Sequence, residues 1–166
     1  MSPMDWAVRP LQKYAQFSGR ASRAEFWWYM LFVVVAAVLL AIVESALGLQ
    51  ALFLIYGPMT VILVLATFVP SLAVQVRRLH DTNRSGWWLL GMYIPYAIML
   101  ALMPSMMTPG EGGIPNFGSA AIAGLLSLIV MVMAIVLLVF YVLRGTSGPN
   151  SYGPDPYGAD VEQVFA

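Results

Sequence analysis

Polar and apolar positions are segregated into long blocks along this chain. Four apolar runs dominate, at residues 26–49, 52–74, 87–104 and 119–143. Each reaches or approaches the ~20 residues that a helix needs to cross a hydrocarbon core of about 30 Å. Backbone groups in lipid must bond internally, so such runs are helical. The pattern predicts an all-α, multi-pass membrane protein with four transmembrane helices, organised as a single membrane domain over residues 1–166. The first run begins too late and is too long for a cleaved leader, and no small-residue cleavage site follows it.

The segments between the runs predict the helix ends. "SGRASRAEFWW" opens the first span, and Ser22 and Glu25 have the spacing of a capping box. Trp27 and Trp28 follow at headgroup depth, where an amphipathic ring is most stable. "NRSGWW" opens the third span, with Ser85 as N-cap and Trp87 and Trp88 as interface anchors. Four of the five tryptophans lie in these two pairs, which suggests a parallel repeat of helical hairpins. Ahead of the first span, "DWAVRPLQKYAQF" predicts a short interfacial helix. Trp6, Leu11 and Tyr14 are expected to face lipid there while Arg9 and Lys13 snorkel. Pro10 is expected to confine that helix to its first turn or to kink it. Residues 145–166 form a tail whose glycines and prolines cannot continue a helix.

Charge then orients the spans. All eight basic residues fall on one side of a four-span arrangement: Arg9, Lys13, Arg20 and Arg23, then Arg77, Arg78 and Arg84, then Arg144. The connection near residues 48–51 and the loop 105–118 carry none. The basic side is the expected cytoplasmic side, which places both termini inside. A three-span arrangement would strand Arg144 on the opposite side.

Composition narrows the chemistry. Only 10% of residues are charged, mean hydropathy is +0.80 and formal net charge is zero, so nucleic acid is not an expected partner. Without cysteine, disulfides, thiolate metal sites and cysteine nucleophiles are excluded. A single histidine leaves no second imidazole for a metal site, and no metal or cofactor is expected. Phosphate-loop, nucleophile-elbow and zinc-protease motifs are missing from the sequence.

The charge concentrates in "RRLHDTNRSGWW". His80 beside Asp81 offers a base with an orienting carboxylate, but neighbours on a helix point about 100° apart and do not readily pair. The simplest reading gives Arg77, Arg78 and Arg84 an orienting role and pairs Asp81 with a nearby arginine or a helix end. The alternative is a site for an anionic headgroup or a partner protein. It would gather Arg20, Arg23, Glu25, Arg77, Arg78, His80, Asp81 and Arg84 into one basic pocket, with Asn150 and Asp155 folding against it. Glu44, the only charge well inside a span, is expected to reach the interface or a hydrogen-bond partner. Thr60, Thr67, Ser71, Gln75 and Arg78 form a polar stripe that reads as cross-helix glue or one wall of a narrow polar cavity. Ala37, Ala41 and Ser45, and likewise Ser119, Ala123 and Ser127, read as close-packing faces.

Three blocks together, "FSGRASRAEFWW", "RRLHDTNRSGWW" and "GPNSYGPDP", resemble the signature blocks of a family of small bacterial inner-membrane proteins known as domain of unknown function 805. The blocks extend from Phe17 to Pro156. The family's third block often reads N-R-Y-G, where this chain has Ser151. The resemblance implies a multi-pass bundle in the bacterial inner membrane and brings no activity with it. The expected function is that of a non-enzymatic structural or interaction protein. Its cytoplasmic rim is expected to bind anionic lipid headgroups or a partner protein, with self-association a further possibility. A transporter or channel component is the alternative, and a membrane enzyme acting on a lipid or phosphate-bearing substrate ranks below it.

Overall fold

The computed structural model describes residues 2–49, 57–107 and 117–158. The start of the second apolar run, most of the loop after the third with its Glu111, and the last residues of the tail lie outside the described residues. Helices run in the order α1 (Pro3–Gln12), α2 (Arg23–Ala46), α3 (Pro58–Asp81), α4 (Leu90–Met107) and α5 (Phe117–Val142), with a 3-10 turn over Gly86–Leu89 ahead of α4. Among the described residues no strand forms, only one bridge between Asn150 and Gly153. Four helical stretches are long and apolar enough to cross a membrane: Arg23–Ala46, Pro58–Asp81, Gly86–Pro104 and Gly118–Val142.

Packing groups the chain into two units, residues 1–84 with 144–166, and residues 85–143. In the first, α2 and α3 run antiparallel. Glu25 meets Arg77 at one end, the Tyr29 hydroxyl sits 3.1 Å from Ser71 Oγ further along, and Glu44 meets Thr60 at the other end. In the second, the Trp88 ring packs edge-on against Phe140, and Gly91 faces the Met133 thioether, so α4 and α5 are also antiparallel. Each unit thus contains one helical hairpin whose entry carries a serine N-cap and a tryptophan pair. Ser22 Oγ accepts from Glu25 N at 3.1 Å, and Ser85 Oγ accepts from Trp87 N at 3.4 Å.

Burial is inverted relative to a water-soluble protein. Leu31, Val34, Val38, Leu39 and Ile42 of α2 are exposed, whereas Arg77, Arg78, Glu25 and Asp81 are among the largest fully buried side chains. An apolar solvent around the spans removes the reason to hide leucine and makes internal partners obligatory for polar groups.

Glu44 illustrates the consequence. Its carboxylate accepts from Met59 N, from Thr60 N at 3.0 Å and from Thr60 Oγ1 at 2.6 Å. It therefore occupies the orphan donors at the α3 N-terminus, which Gly57 leaves without a side-chain cap. A Cβ at Gly57 would collide with that carboxylate. The polar stripe of α3 is likewise committed. Thr60 bonds Glu44, Thr67 Oγ1 donates to Leu63 O of its own helix, Tyr29 bonds Ser71 and the Thr67 carbonyl, and Gln75 donates to Ser71 O. These bonds are cross-helix and intrahelical glue.

Helix α1 departs from the sequence expectation. It begins with a complete capping box between Ser2 and Asp5 and continues through Pro10 to Gln12. Pro10 costs one hydrogen bond near the helix end, and its ring is fully buried. Hydrogen bonds from the Ser2 amide and hydroxyl hold the Asp5 carboxyl below its usual pKa. The helix packs on α2 and α3, and just beyond it Tyr14 OH donates to Ala66 O at 2.9 Å. Pro70 has no N–H for the Ala66 carbonyl, so Tyr14 supplies the missing donor.

The small-residue faces are only partly engaged. Ser119 and Ala123 are buried, whereas Ala41, Ser45 and Ser127 are exposed.

Candidate anion site

The site forms where three separated blocks meet: the turn before α2, the end of α3 and the start of the tail. Ala21 N donates to Arg77 O at 3.0 Å, which ties the first block to the second. Thr146 N donates to Asp81 O at 2.9 Å, which ties the second to the third. Helix α3 ends through Asn83, whose φ of 56° lies in the left-handed region that asparagine tolerates. Arg84 N then returns to Leu79 O at 2.9 Å.

Asp81 is the centre. One oxygen accepts from Arg20 Nε and Nη2, both at 2.9 Å, and the other accepts from Arg78 Nη1. All three side chains are buried. Arg20 also donates to Thr146 O at 2.5 Å and Gly148 O at 2.6 Å, so one guanidinium holds all three blocks. Gly145 is required beside it, because a Cβ there would overlap the Asp81 carboxylate.

A second ion cluster centres on Glu25. Ser22 caps α2, but the return half of the capping box does not form. The Glu25 carboxylate turns instead to Arg77 Nη1 at 2.6 Å, with Arg9 Nε at 3.8 Å from its other oxygen. Arg77 Nε and Nη2 are buried without a hydrogen-bond partner among the described residues. Burial pushes the Lys13 ammonium below its usual pKa. Glu25 opposes that shift, and Arg9 and Arg77 add to it.

His80 pairs with neither carboxylate among the described residues. Its Nδ1 lies 3.1 Å from Gly19 O, a pairing that requires the proton on Nδ1, and its ring stacks on Tyr152 at 3.8 Å. The tail is fixed by side chain to backbone bonds. Asn150 Nδ2 donates to His80 O at 2.9 Å and to Thr146 Oγ1 at 2.8 Å, while its Oδ1 accepts from Tyr152 N at 2.9 Å. Asp155 accepts from Gly148 N at 3.1 Å and Tyr157 N at 3.0 Å.

These contacts leave a polar cavity of about 520 Å³ lined by Arg20, Arg23, Asp81, Arg144, Asp155 and Tyr157, with the 145–147 backbone. Arg20 is already committed there. Arg23 and Arg144 are exposed and form no ion pair among the described residues.

The structure thus brings Arg20, Arg78, His80, Asp81, Asn150 and Asp155 into one network, with Arg23 beside it at the cavity. Glu25 and Arg77 form the adjacent cluster. Arg84 donates to Thr82 O at 3.1 Å and is not among the cavity residues. Trp27, Trp28, Trp87 and Trp88 are exposed, Trp87 most of all at 76%. Sequence reasoning did not place Arg144, Thr146, Gly145 or Tyr152 in the site. The signal for Tyr152 was an aromatic residue inside a glycine- and proline-rich block.

The family model for proteins of unknown function DUF805 matches residues 14–154, which include the first two converging blocks and the third through Pro154. The chain belongs to the DUF805 family. This DUF805 protein is 33% identical over 153 residues to the inner membrane protein YhaI of Escherichia coli strain K12, covering 92% of this chain and 96% of YhaI. It is 32% identical to the inner membrane protein YhaH of the same strain, over 92% of this chain and 97% of YhaH. A third relative, the uncharacterized protein YiiR of that strain, is 29% identical over 84% of each chain. No solved structure matches the chain.

Proposed function

We propose that this DUF805 protein is a non-enzymatic interaction protein of the inner membrane that holds anionic lipid headgroups at its arginine-rich end. The observation that carries the reading is the cavity in which Arg23 and Arg144, both accessible and without an ion pair among the described residues, line a space shared with Asp81 and Arg20. The basic end is assigned to the cytoplasm, with both termini there, because lysine and arginine flank spans on that side. That leaflet is anionic, and each nearby basic side chain contributes about 1 kcal/mol of attraction. A hydrolytic reading finds less support, since His80 is oriented by a backbone carbonyl and a tyrosine ring rather than by a carboxylate.

Arg77 and Arg78 are poor candidates for direct contact, because both are wholly buried. The test therefore uses Arg23→Gln with Arg144→Gln. Native mass spectrometry of the purified protein is expected to show phosphatidylglycerol and cardiolipin adducts on the parent protein, reduced several-fold in the double variant. Equal adducts on both proteins contradict the reading.

A further inference from the structure

The cavity's charge inventory specifies its ligand further. Among the residues around it, Arg20, Arg23 and Arg144 face Asp81 and Asp155, and Arg78 adds a fourth cation behind Asp81. Two positive charges remain in excess. The carboxylates are not free to bind a cation of their own. Asp81 accepts from Arg20 and Arg78, and Asp155 accepts from two backbone amides of the tail. Among the described residues, the uncommitted donors are the Arg23 and Arg144 guanidiniums, which come from two different chain segments, with Ser147 three residues after Arg144 on the same lining.

We infer that this cavity is a phosphomonoester site, selective for a terminal phosphate over a phosphodiester. The inference rests on the anionic-headgroup reading and narrows its ligand class. A phosphomonoester carries about −1.5 to −2 charges near neutral pH and exposes three acceptor oxygens. That charge matches the excess, and the three oxygens accommodate two planar guanidinium forks at once. A phosphodiester headgroup carries a single negative charge and has only two non-bridging oxygens. It leaves one positive charge uncompensated and one fork without a second acceptor. The buried Arg20–Asp81–Arg78 lock acts here as the rigid wall, and Arg23 and Arg144 are the ligand-binding pair. The shared chemistry is a terminal phosphate, supplied by a lipid such as phosphatidic acid or by a soluble phosphate.

The test uses the full chain in nanodiscs that contain either phosphatidic acid or phosphatidylglycerol at equal mole fraction, with bound lipid counted by native mass spectrometry. Phosphatidic acid is expected to be preferred by about tenfold, the size of one charge-assisted hydrogen bond. Arg23→Gln and Arg144→Gln are each expected to abolish that preference. Arg84→Gln removes the same charge outside the cavity and is expected to keep it. Both cavity positions are exposed, and an unchanged unfolding temperature confirms that each variant is folded. A second arm adds excess inorganic phosphate. Displacement of phosphatidic acid assigns the site to soluble phosphates as well, and resistance assigns it to the lipid; both outcomes support a terminal-phosphate site. Equal binding of the two lipids, lost together in Arg23→Gln, overturns the monoester selectivity and leaves the anionic-headgroup reading standing. Lipid binding that falls as much in Arg84→Gln as in Arg23→Gln, or in neither, overturns both.

Discussion

Replacing Asp81 by asparagine removes the anion that pairs with two buried guanidiniums, those of Arg20 and Arg78. The Arg20, Arg78 and Asp81 side chains are 1%, 0% and 3% exposed, so water cannot take over from the carboxylate. Asparagine keeps the shape but offers one acceptor oxygen, and it turns an N–H₂ toward one arginine. Arg20 retains its bonds to the Thr146 and Gly148 carbonyls, while Arg78 loses its ion pair with the carboxylate. Breaking a buried ion pair by removing one partner costs about 3–5 kcal/mol. At about 2–4 °C per kcal/mol for a chain of this size, the expected drop in unfolding temperature is roughly 6–20 °C. Intrinsic tryptophan fluorescence during heating in nanodiscs reads it. Adding Arg78→Met to Asp81→Asn removes one of the two buried charges that lose this carboxylate and is expected to recover part of the loss, whereas Arg78→Met alone leaves Asp81 with Arg20 as its partner. A drop of less than about 2 °C for Asp81→Asn, or no recovery in the double variant, refutes the claim that Asp81 holds the site together.

Gly145→Ala places a methyl against the Asp81 carboxylate, so it is expected to destabilise by about 1–3 kcal/mol and to lower the same fluorescence midpoint, while Gly148→Ser, with open space at its Cβ, is limited to backbone strain. Tyr14→Phe removes the donor that replaces the missing N–H of Pro70. It is expected to cost about 1 kcal/mol in the parent and markedly less in a Pro70→Ala background, as measured in a double-mutant cycle. Additive effects of the two changes would dissociate Tyr14 from the proline. Reporter fusions at each terminus are expected to read cytoplasmic, and a periplasmic signal from the C-terminal fusion contradicts the orientation.

The spans were legible because the length and continuity of apolar runs are one-dimensional properties. Their ends were less so. Helix α3 starts at Pro58, where Glu44 of α2 reaches its first amides, and it continues past Val74 to Asp81 because Arg77, Arg78 and Asp81 find partners inside the protein. The Arg78–Asp81 pair, three residues apart, was legible locally; Glu44 at the α3 N-terminus and Glu25 beside Arg77 were not. At Glu25, local spacing assigned the carboxylate to a capping box, and an arginine 52 positions away took it. Convergence of the three polar blocks was expected from their shared chemistry. The division of labour within them was not, because a list of arginines carries no information about which are buried. Burial separates Arg77 and Arg78, read from the sequence as a rim, from Arg23 and Arg144, which stay accessible. The tail's role followed from asparagine and aspartate bonding nearby backbone groups, a chemistry its composition permits without specifying the partner.

Convergence of the three blocks is the central claim, and the lack of cysteine in the chain allows it to be measured directly. The His80 and Tyr152 rings stack with their centroids 3.8 Å apart, which brings the two side-chain positions within reach of a short thiol-to-thiol cross-linker. In membranes treated with a short bis-maleimide, the variant His80→Cys with Tyr152→Cys is expected to cross-link within one chain to near completion. Met4→Cys with Tyr152→Cys, which pairs the tail with an α1 residue that lines an apolar groove with Leu31, Val35 and Leu39 of α2, is expected to remain unlinked. Equal cross-linking in the two variants, or none in the first, contradicts a tail docked on the end of α3.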